Sequence, residues 1–171
     1  MSFLGGFEAV EPRTSGFFKL KKIRTLEKDM PRKSFVIHDH DGHGNFLMNK
    51  RSINCRDEHG AWDFGGGGLD FGDSIEKTLL KEIKEEYCVD VGGYEFLGYS
   101  DLFRKMKGVD THWVSLLFIV EINRSKVKNG EPHKFDELGW FRLDNLPNPL
   151  HSCIPYQLGK FKDKLSKFYI K

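Results

Sequence analysis

Four consecutive glycines, Gly65 to Gly68, restrict the fold of this 171-residue chain more than any other feature. A glycine run has no side chains with which to pack itself. It also follows backbone paths closed to other residues, so its shape must come from what lies on either side. Directly after it, Asp73 and Ser74 are helix-capping residue types, and Glu76 suits the positive end of a helix. Ile75, Leu79, Ile83 and Tyr87 then recur every four residues, with Leu80 beside them. That spacing predicts an amphipathic helix from about Ser74 to about Cys88.

The rest of the pattern reads mostly as strands. Phe35-Val36-Ile37 and Phe46-Leu47-Met48 are short apolar runs on either side of the turn-rich Asp39-His40-Asp41-Gly42-His43-Gly44. They predict a hairpin, Ser34–His38 and Asn45–Asn49, buried on both faces. Further strands are expected at Tyr94–Phe103, His112–Ile122 and Gly139–Leu143, with another around Phe17–Ile23. A C-terminal helix is expected at Ile154–Tyr169, its lysines Lys160, Lys162, Lys164, Lys167 and Lys171 forming a solvated basic face.

An apolar content of 39%, with fifteen Phe, is enough for one core. Residues 1–30 are expected to be an N-terminal extension and 31–171 the domain. The net charge, 27 − 25 or +2, argues against a nucleic-acid-binding domain. No apolar run approaches the ~18 residues of a membrane span. Glu8 and Glu11 near the N-terminus exclude a signal peptide on this reading. Cys55, Cys88 and Cys153 are odd in number and scattered, which suits reduced thiols in a cytoplasmic protein.

On the predicted helix Glu82, Glu85 and Glu86 fall within an arc of ~100°, beside the apolar stripe. Carboxylates so close repel one another. A divalent cation is an efficient counter-charge. Alternatively, Lys77, Lys81 and Lys84 balance a solvated face through i,i+4 pairs. His38, Asp39, His40, Asp41 and His43 do not read as a metal site, because neighbours in a strand alternate faces.

The spacing between glycines and glutamates carries more. Gly67, five residues, Asp73, seven residues, then Lys81-Glu82-Ile83-Lys84-Glu85-Glu86-Tyr87-Cys88-Val89 closely resembles the Nudix box, G-x5-E-x7-R-E-U-x-E-E-x-G-U with U a bulky aliphatic residue. The resemblance extends to the loop Gly66–Ser74 and to Thr111-His112-Trp113-Val114. It also takes in Glu131-Pro132-His133-Lys134, Trp140 and Leu146-Pro147-Asn148-Pro149-Leu150. It implies an α/β (α+β) Nudix fold, a mixed β-sheet sandwiched between helices. It further implies Mg²⁺-dependent hydrolysis, with Mn²⁺ as a substitute, of a nucleoside diphosphate linked to a group X.

A (deoxy)nucleoside triphosphate, cleaved to monophosphate and pyrophosphate, is the main expectation. A nucleotide-sugar hydrolase and a catalytically weak nucleotide sensor are the alternatives. By the same resemblance Gly67, Glu82, Glu85 and Glu86 hold the metal, and Lys81 and Asp73 belong to the catalytic set. Lys50 and Arg51 meet phosphates. Phe35 and Trp140, with Leu146–Leu150, meet the base. Glu131, Asp136 and Glu137 are candidate bases outside the box. The implied partner is a small nucleotide, with no membrane or specific nucleic acid; dimers are frequent among relatives, so a homodimer is one option.

The sequence departs from the box at four points. Asp73 stands for Glu, and Gly65 for a Pro. Lys81 stands for an Arg and offers a flexible point charge in place of a planar fork. Cys88 stands for the Gly that ends the helix, so the helix is expected to run toward Asp90 and stop at Gly92-Gly93. Trp62, Trp113 and Trp140 could stack a nucleobase, and by default read as core residues.

Overall fold

The structure, a computed structural model, describes residues 32–106 and 108–168. The extension 1–30 and the strand expected at Phe17–Ile23 lie outside the described residues. The strands are β1 (Arg32–His40), β2 (Phe46–Arg51), β3 (Trp62–Asp63), β4 (Val91–Met106), β5 (Val109–Ile122) and β6 (Phe135–Phe141). The helices are α1 (Ile75–Tyr87), α2 (Ile154–Lys160) and α3 (Lys162–Ser166), with a 3-10 turn at Arg124–Lys126. No described helix is long and apolar enough to cross a membrane.

The strands form one mixed sheet in the order β3-β2-β1-β5-β4, with β6 paired to β2. β1 runs parallel to β5 from Arg32↔Trp113 to His40↔Glu121, and the other pairs are antiparallel. The expected hairpin closes only at His40↔Phe46. Beyond that pair the glycine run takes the place of β2 beside β1. The Ile37 N–H donates to Gly65 O at 2.9 Å, and Ser34 bridges Gly68. β1 also outlasts its apolar run by three residues, because pairing with β5 carries it to His40. Asp39 therefore belongs to the sheet and not to the turn.

Strand alternation assigns the two faces. Ile37, Leu47, Phe118 and Val120 pack against Leu79, Ile83 and Tyr87 of α1. Phe46, Met48, Leu117 and Ile119 pack against Ile154, Phe161 and Leu165 of the C-terminal helices. The sheet thus lies between helices, as the resemblance implies. On α1, Ile75 and Leu80 are more than two-fifths exposed, while Thr78 and Glu86 are buried on the inner face.

Ser74 Oγ accepts the Lys77 N–H at 3.1 Å and caps α1. The far end corrects the expectation: α1 stops at Tyr87, and Cys88 itself turns left-handed at φ 56°. The cause lies outside the helix. Lys128 N–H and Gly130 N–H donate to Tyr87 O and Glu86 O at 3.0 and 2.8 Å, which fixes the last turn. Gly92 and Gly93 lie within β4.

The single C-terminal helix is instead two short ones, broken at Phe161, whose ring lies where a Cβ on Gly98 would reach. Tyr169 and Lys171 lie outside the described residues. Lys164 donates to Leu97 O and Lys167 pairs with Glu95, so that basic face docks on β4 and is not merely solvated.

Candidate active site

α1 turns Glu82 and Glu86 toward the glycine run. Glu86 is 3% exposed, and its Oε2 accepts the Gly66 N–H at 3.2 Å. A Cβ on Gly67 would collide with the Glu82 carboxylate, and one on Gly65 would lie 2.8 Å from Glu86 Oε2. Side chains are absent there because the helix carboxylates fill the space. Asp39, fully buried on β1, adds a third carboxylate whose charge acts on Glu86 and Tyr87. Beside it Asn49 Nδ2 donates to Tyr87 Oη at 3.1 Å. Both carboxylate oxygens of Asp39 and Asn49 Oδ1 lack a hydrogen-bond partner among the described residues.

Burial, then the charges of Glu82 and Asp39, push the Glu86 carboxyl well above the usual carboxylate range. Burial alone does the same to Asp39. Burial and then Glu85 raise Glu82. The charges of Lys134 and Lys81 offset part of this at Glu82, but the helix lysines form their ion pairs elsewhere. Lys77 pairs with Asp73 at 2.5 Å, Lys81 with Asp70 at 3.1 Å and Lys84 with Asp90 at 2.6 Å. Among the described residues no ion pair reaches Asp39, Glu82, Glu85 or Glu86. Lys81 thus tethers the glycine loop through Asp70. Its hydrogen bond to Asp70 comes first, and Glu85 second, among the causes that hold its ammonium more basic than usual.

Glu85 is exposed on α1. Glu131 pairs with Lys134 at 2.7 Å, and its charge is felt at Glu82 and Glu86. Glu137 is tied to Lys50 at 2.7 Å, and Asp136 is exposed beside it. Buried carboxylates without an ion-pair partner among the described residues, with unpartnered oxygens at Asp39 and glycine backbone pressed against Glu82 and Glu86, suit a hard divalent cation, which takes oxygen ligands.

A second acidic group gathers around Arg51 and Arg104. Arg51 pairs with Asp57 at 2.9 Å and Asp63 at 3.0 Å. Arg104 pairs with Asp57 at 3.1 Å and also with Glu58. The Ser152 N–H and Oγ each donate to Glu58 at 2.7 Å. His151 Nε2 lies 3.5 Å from Glu58 Oε1. Asp57, Glu58 and His151 are the one trio among the described residues whose ligand atoms all lie within 4.8 Å of one another. Two guanidinium groups already neutralise it. Burial alone would raise Asp57, but Arg104, Arg56, Arg51 and His151 together hold it below its ordinary value. Glu58 is likewise held down against burial, by Ser152, His151 and Arg104. At the fully buried Asp63 desolvation outweighs His151 and Arg51, and its carboxyl is raised.

A pocket of about 440 Å³ reaches the first group at Glu86 and the second at Arg51, Asp63, Arg104 and His151. Glu86 and Gly65–Gly68 line it, as do Arg51, Arg104, Trp113 and Gln157. Lys50 and Trp140 are not among its lining residues. Trp140 packs on the α1-side core with the Arg124 guanidinium 5.1 Å from its ring centre. Phe35 stands in β1 opposite Leu116. Asp39, Asn49, Arg104, His151 and Trp113 are the site residues that the sequence reading did not assign. For Asp39 a signal existed: it is two residues beyond Ile37 on the same face of β1, once β1 is known to extend that far.

The NUDIX domain family matches residues 30–161. An "ADP-ribose pyrophosphatase" of Methanocaldococcus jannaschii is 33% identical over 89 residues, which cover 52% of this chain and 50% of that protein. The chain therefore aligns with about half the length of that relative. An "RNA pyrophosphohydrolase" of Caulobacter vibrioides is 24% identical over 123 residues, covering 63% of this chain and 69% of its own. The crystal structure of a MutT NUDIX hydrolase from Burkholderia pseudomallei superposes with a TM-score of 0.67 at 27% identity, over 77% of this chain and 98% of that one. With the glycine loop seated on the glutamate helix and the match spanning most of the chain, this protein belongs to the Nudix hydrolase family.

Proposed function

We propose that the chain is a Mg²⁺-dependent pyrophosphohydrolase that cleaves the diphosphate linkage of a nucleoside diphosphate joined to a group X. One observation carries the reading. Asp39, Glu82 and Glu86 converge under the glycine loop, and no ion pair among the described residues reaches them. Glu82, Glu86, Glu85 and the Gly67 carbonyl are the proposed metal ligands, with Asp39 as a further buried carboxylate behind them. When bound, the cation offsets charge developing on phosphoryl oxygens and lowers the pKa of a bound water. Lys134 lines the pocket and favours an anionic substrate. Of the three candidate bases, Glu131 is the one whose charge acts on both Glu82 and Glu86, so it is the one proposed to accept the proton of the attacking water. The names of the relatives support a nucleotide pyrophosphate bond as the target.

Wild type and Glu86→Gln would be incubated side by side with nucleoside triphosphates, ADP-ribose and nucleotide sugars in Mg²⁺, and the products read by mass spectrometry. Turnover by the wild type alone is expected. A fully active Glu86→Gln, or a wild type inert toward the whole panel, would overturn the proposal. Release of pyrophosphate identifies a triphosphate substrate, and release of a sugar phosphate identifies a nucleotide sugar.

A further inference from the structure

The segment Lys128–Phe135 carries the proposed base, Glu131, and is held from two sides. On one side α1 anchors it. The Lys128 and Gly130 N–H groups donate to Tyr87 O and Glu86 O, and a Cβ on Gly130 would strike the Glu85 carbonyl oxygen. On the other side the residues that leave β2 anchor it. The Ser52 N–H donates to Lys134 O at 2.8 Å, and Ser52 Oγ donates to His133 O at 2.7 Å. Asn54 Nδ2 donates to the same His133 O at 2.9 Å, and Cys55 Sγ to Lys134 O at 3.1 Å.

Ser52 is 3% exposed, and its hydroxyl works in both directions. Besides donating to His133 O, it accepts the Asn54 N–H at 3.1 Å. One side chain thus ties two loops, which needs a donor and an acceptor at a single atom. Ser52 is not among the residues lining the pocket, so any effect on the reaction passes through its neighbours.

Within the segment the bonds lead to Glu131. Its carbonyl accepts the Lys134 and Phe135 N–H groups at 2.8 and 3.0 Å, and its N–H donates to Asn129 Oδ1 at 3.1 Å. Its carboxylate pairs with Lys134 at 2.7 Å. The residue that grips the Glu131 carboxylate is therefore one whose backbone Ser52 holds. A misplacement of about 1 Å can cost a reacting group about a hundredfold.

We propose that Ser52 is a positioning residue for the reaction. Acting with Asn54 through the His133 and Lys134 carbonyls, it sets where the Glu131 carboxylate stands relative to Glu82 and Glu86. This rests on the reading above that Glu131 accepts the proton of the attacking water.

Initial rates in Mg²⁺ would be measured on the nucleoside triphosphates, ADP-ribose and nucleotide sugars of the panel above. The proteins would be wild type, Ser52→Ala, Asn54→Ala, Glu131→Gln and the double variant Ser52→Ala/Glu131→Gln. On the panel compound turned over fastest, Glu131→Gln should lower kcat about a hundredfold or more, as loss of a general base does. Ser52→Ala should lower kcat about tenfold or more and leave KM within about twofold. Asn54→Ala should show a smaller loss in the same direction. In the double variant the Ser52 effect should vanish, leaving kcat within about twofold of Glu131→Gln, because two residues that act through one group are not additive. A serine that only supports the fold would cost the same factor in both backgrounds.

The inference is overturned if Ser52→Ala keeps the wild-type kcat, raises KM in place of lowering kcat, or loses the same factor with and without Glu131. A Glu131→Gln as fast as wild type overturns the base assignment instead, and Ser52 then has nothing to position. The two failures are separable. Should Ser52→Ala fail to fold, the same cycle run with Asn54→Ala decides, because Asn54 is exposed and its loss removes only one of the two side-chain bonds to His133 O.

Discussion

Two carboxylate clusters border one pocket, which Glu86 lines on one side and Arg51, Asp63, Arg104 and His151 on the other, and they differ in what neutralises them. Asp57 and Glu58 carry their own cations: Arg51 and Arg104 reach across from β2 and β4, and both carboxyls are held below their ordinary values. Asp39, Glu82 and Glu86 have no such partners among the described residues, and all three are raised. The nearby helix lysines are engaged by Asp70, Asp73 and Asp90 instead. The contrast shows where an outside cation belongs. A cluster that supplies its own charge balance is scaffolding for a loop. One left buried and unbalanced needs a ligand or a proton, because an isolated buried charge is costly.

Glu86→Gln is the sharpest way to break the comparison. The amide keeps the shape and removes the charge. Activity should fall about a thousandfold or more, since a ligand to the catalytic cation is lost. In metal-free buffer the same variant should be more stable than wild type, by about 1 kcal/mol or more, because a desolvated charge is gone. Adding Mg²⁺ should raise the melting temperature of wild type, in keeping with about 2.7 kcal/mol at a hundred times Kd, and EDTA should reverse it. The variant should respond far less. A variant that loses activity and stability together would mean that Glu86 is a structural residue.

Arg104→Met attacks the other cluster. It strips Asp57 and Glu58 of a cation while Arg51 remains. Breaking a fully buried pair costs roughly 3–5 kcal/mol. Here the side chains keep 19% and 26% exposure, so about 1–3 kcal/mol is expected in denaturant unfolding. Its Mg²⁺ response should match wild type. Equal stability in variant and wild type would show that the network contributes nothing.

Acid separates the clusters further. Asp57 and Glu58 have depressed carboxyls in the folded state, facing Arg51, Arg56, Arg104 and His151. Their contribution to stability is therefore fully present above the ordinary values of 3.8 and 4.5, and it is lost as pH falls through their lower folded values. Wild type should lose stability over that window, and Arg104→Met should lose less, because it has less to lose. Parallel pH profiles for the two proteins would refute the assignment.

Much of the glutamate end was legible because it is local. A glycine run, a capping serine and a period of four place Glu82 and Glu86 beside the loop without any long-range information. The arginine cluster was not legible. It joins Arg51, Asp57, Asp63, Arg104 and His151 from three separate stretches, and only the sheet order and the register of β4 on β5 bring them together. Asp39 was hidden in another way. It follows an apolar run and opens a turn-like sequence, so local chemistry assigns it to a loop. The parallel pairing of β1 with β5, a contact about eighty residues away in sequence, draws it into the sheet. Trp113 was assigned to the core because strand aromatics usually are, and sequence cannot say that the packing over its ring is an arginine.

The smallest effect belongs to the end of α1 and contains no charge, which makes it the control for Glu86→Gln. Cys88 holds φ at 56°, a left-handed conformation that disfavours a side chain, because the loop Lys128–Gly130 fixes the last turn from outside. Cys88→Gly relieves that strain but gives the unfolded chain more freedom, and the two partly cancel. A net gain of about 0.5–1 kcal/mol is expected, with kcat and the Mg²⁺-dependent rise in melting temperature both unchanged. If Glu86→Gln and Cys88→Gly stabilise alike but only the first abolishes the Mg²⁺ response, the effect at Glu86 is one of charge. If Cys88→Gly destabilises, the loop does not force the helix to end there, and an intrinsic stop at Tyr87 must be sought within α1.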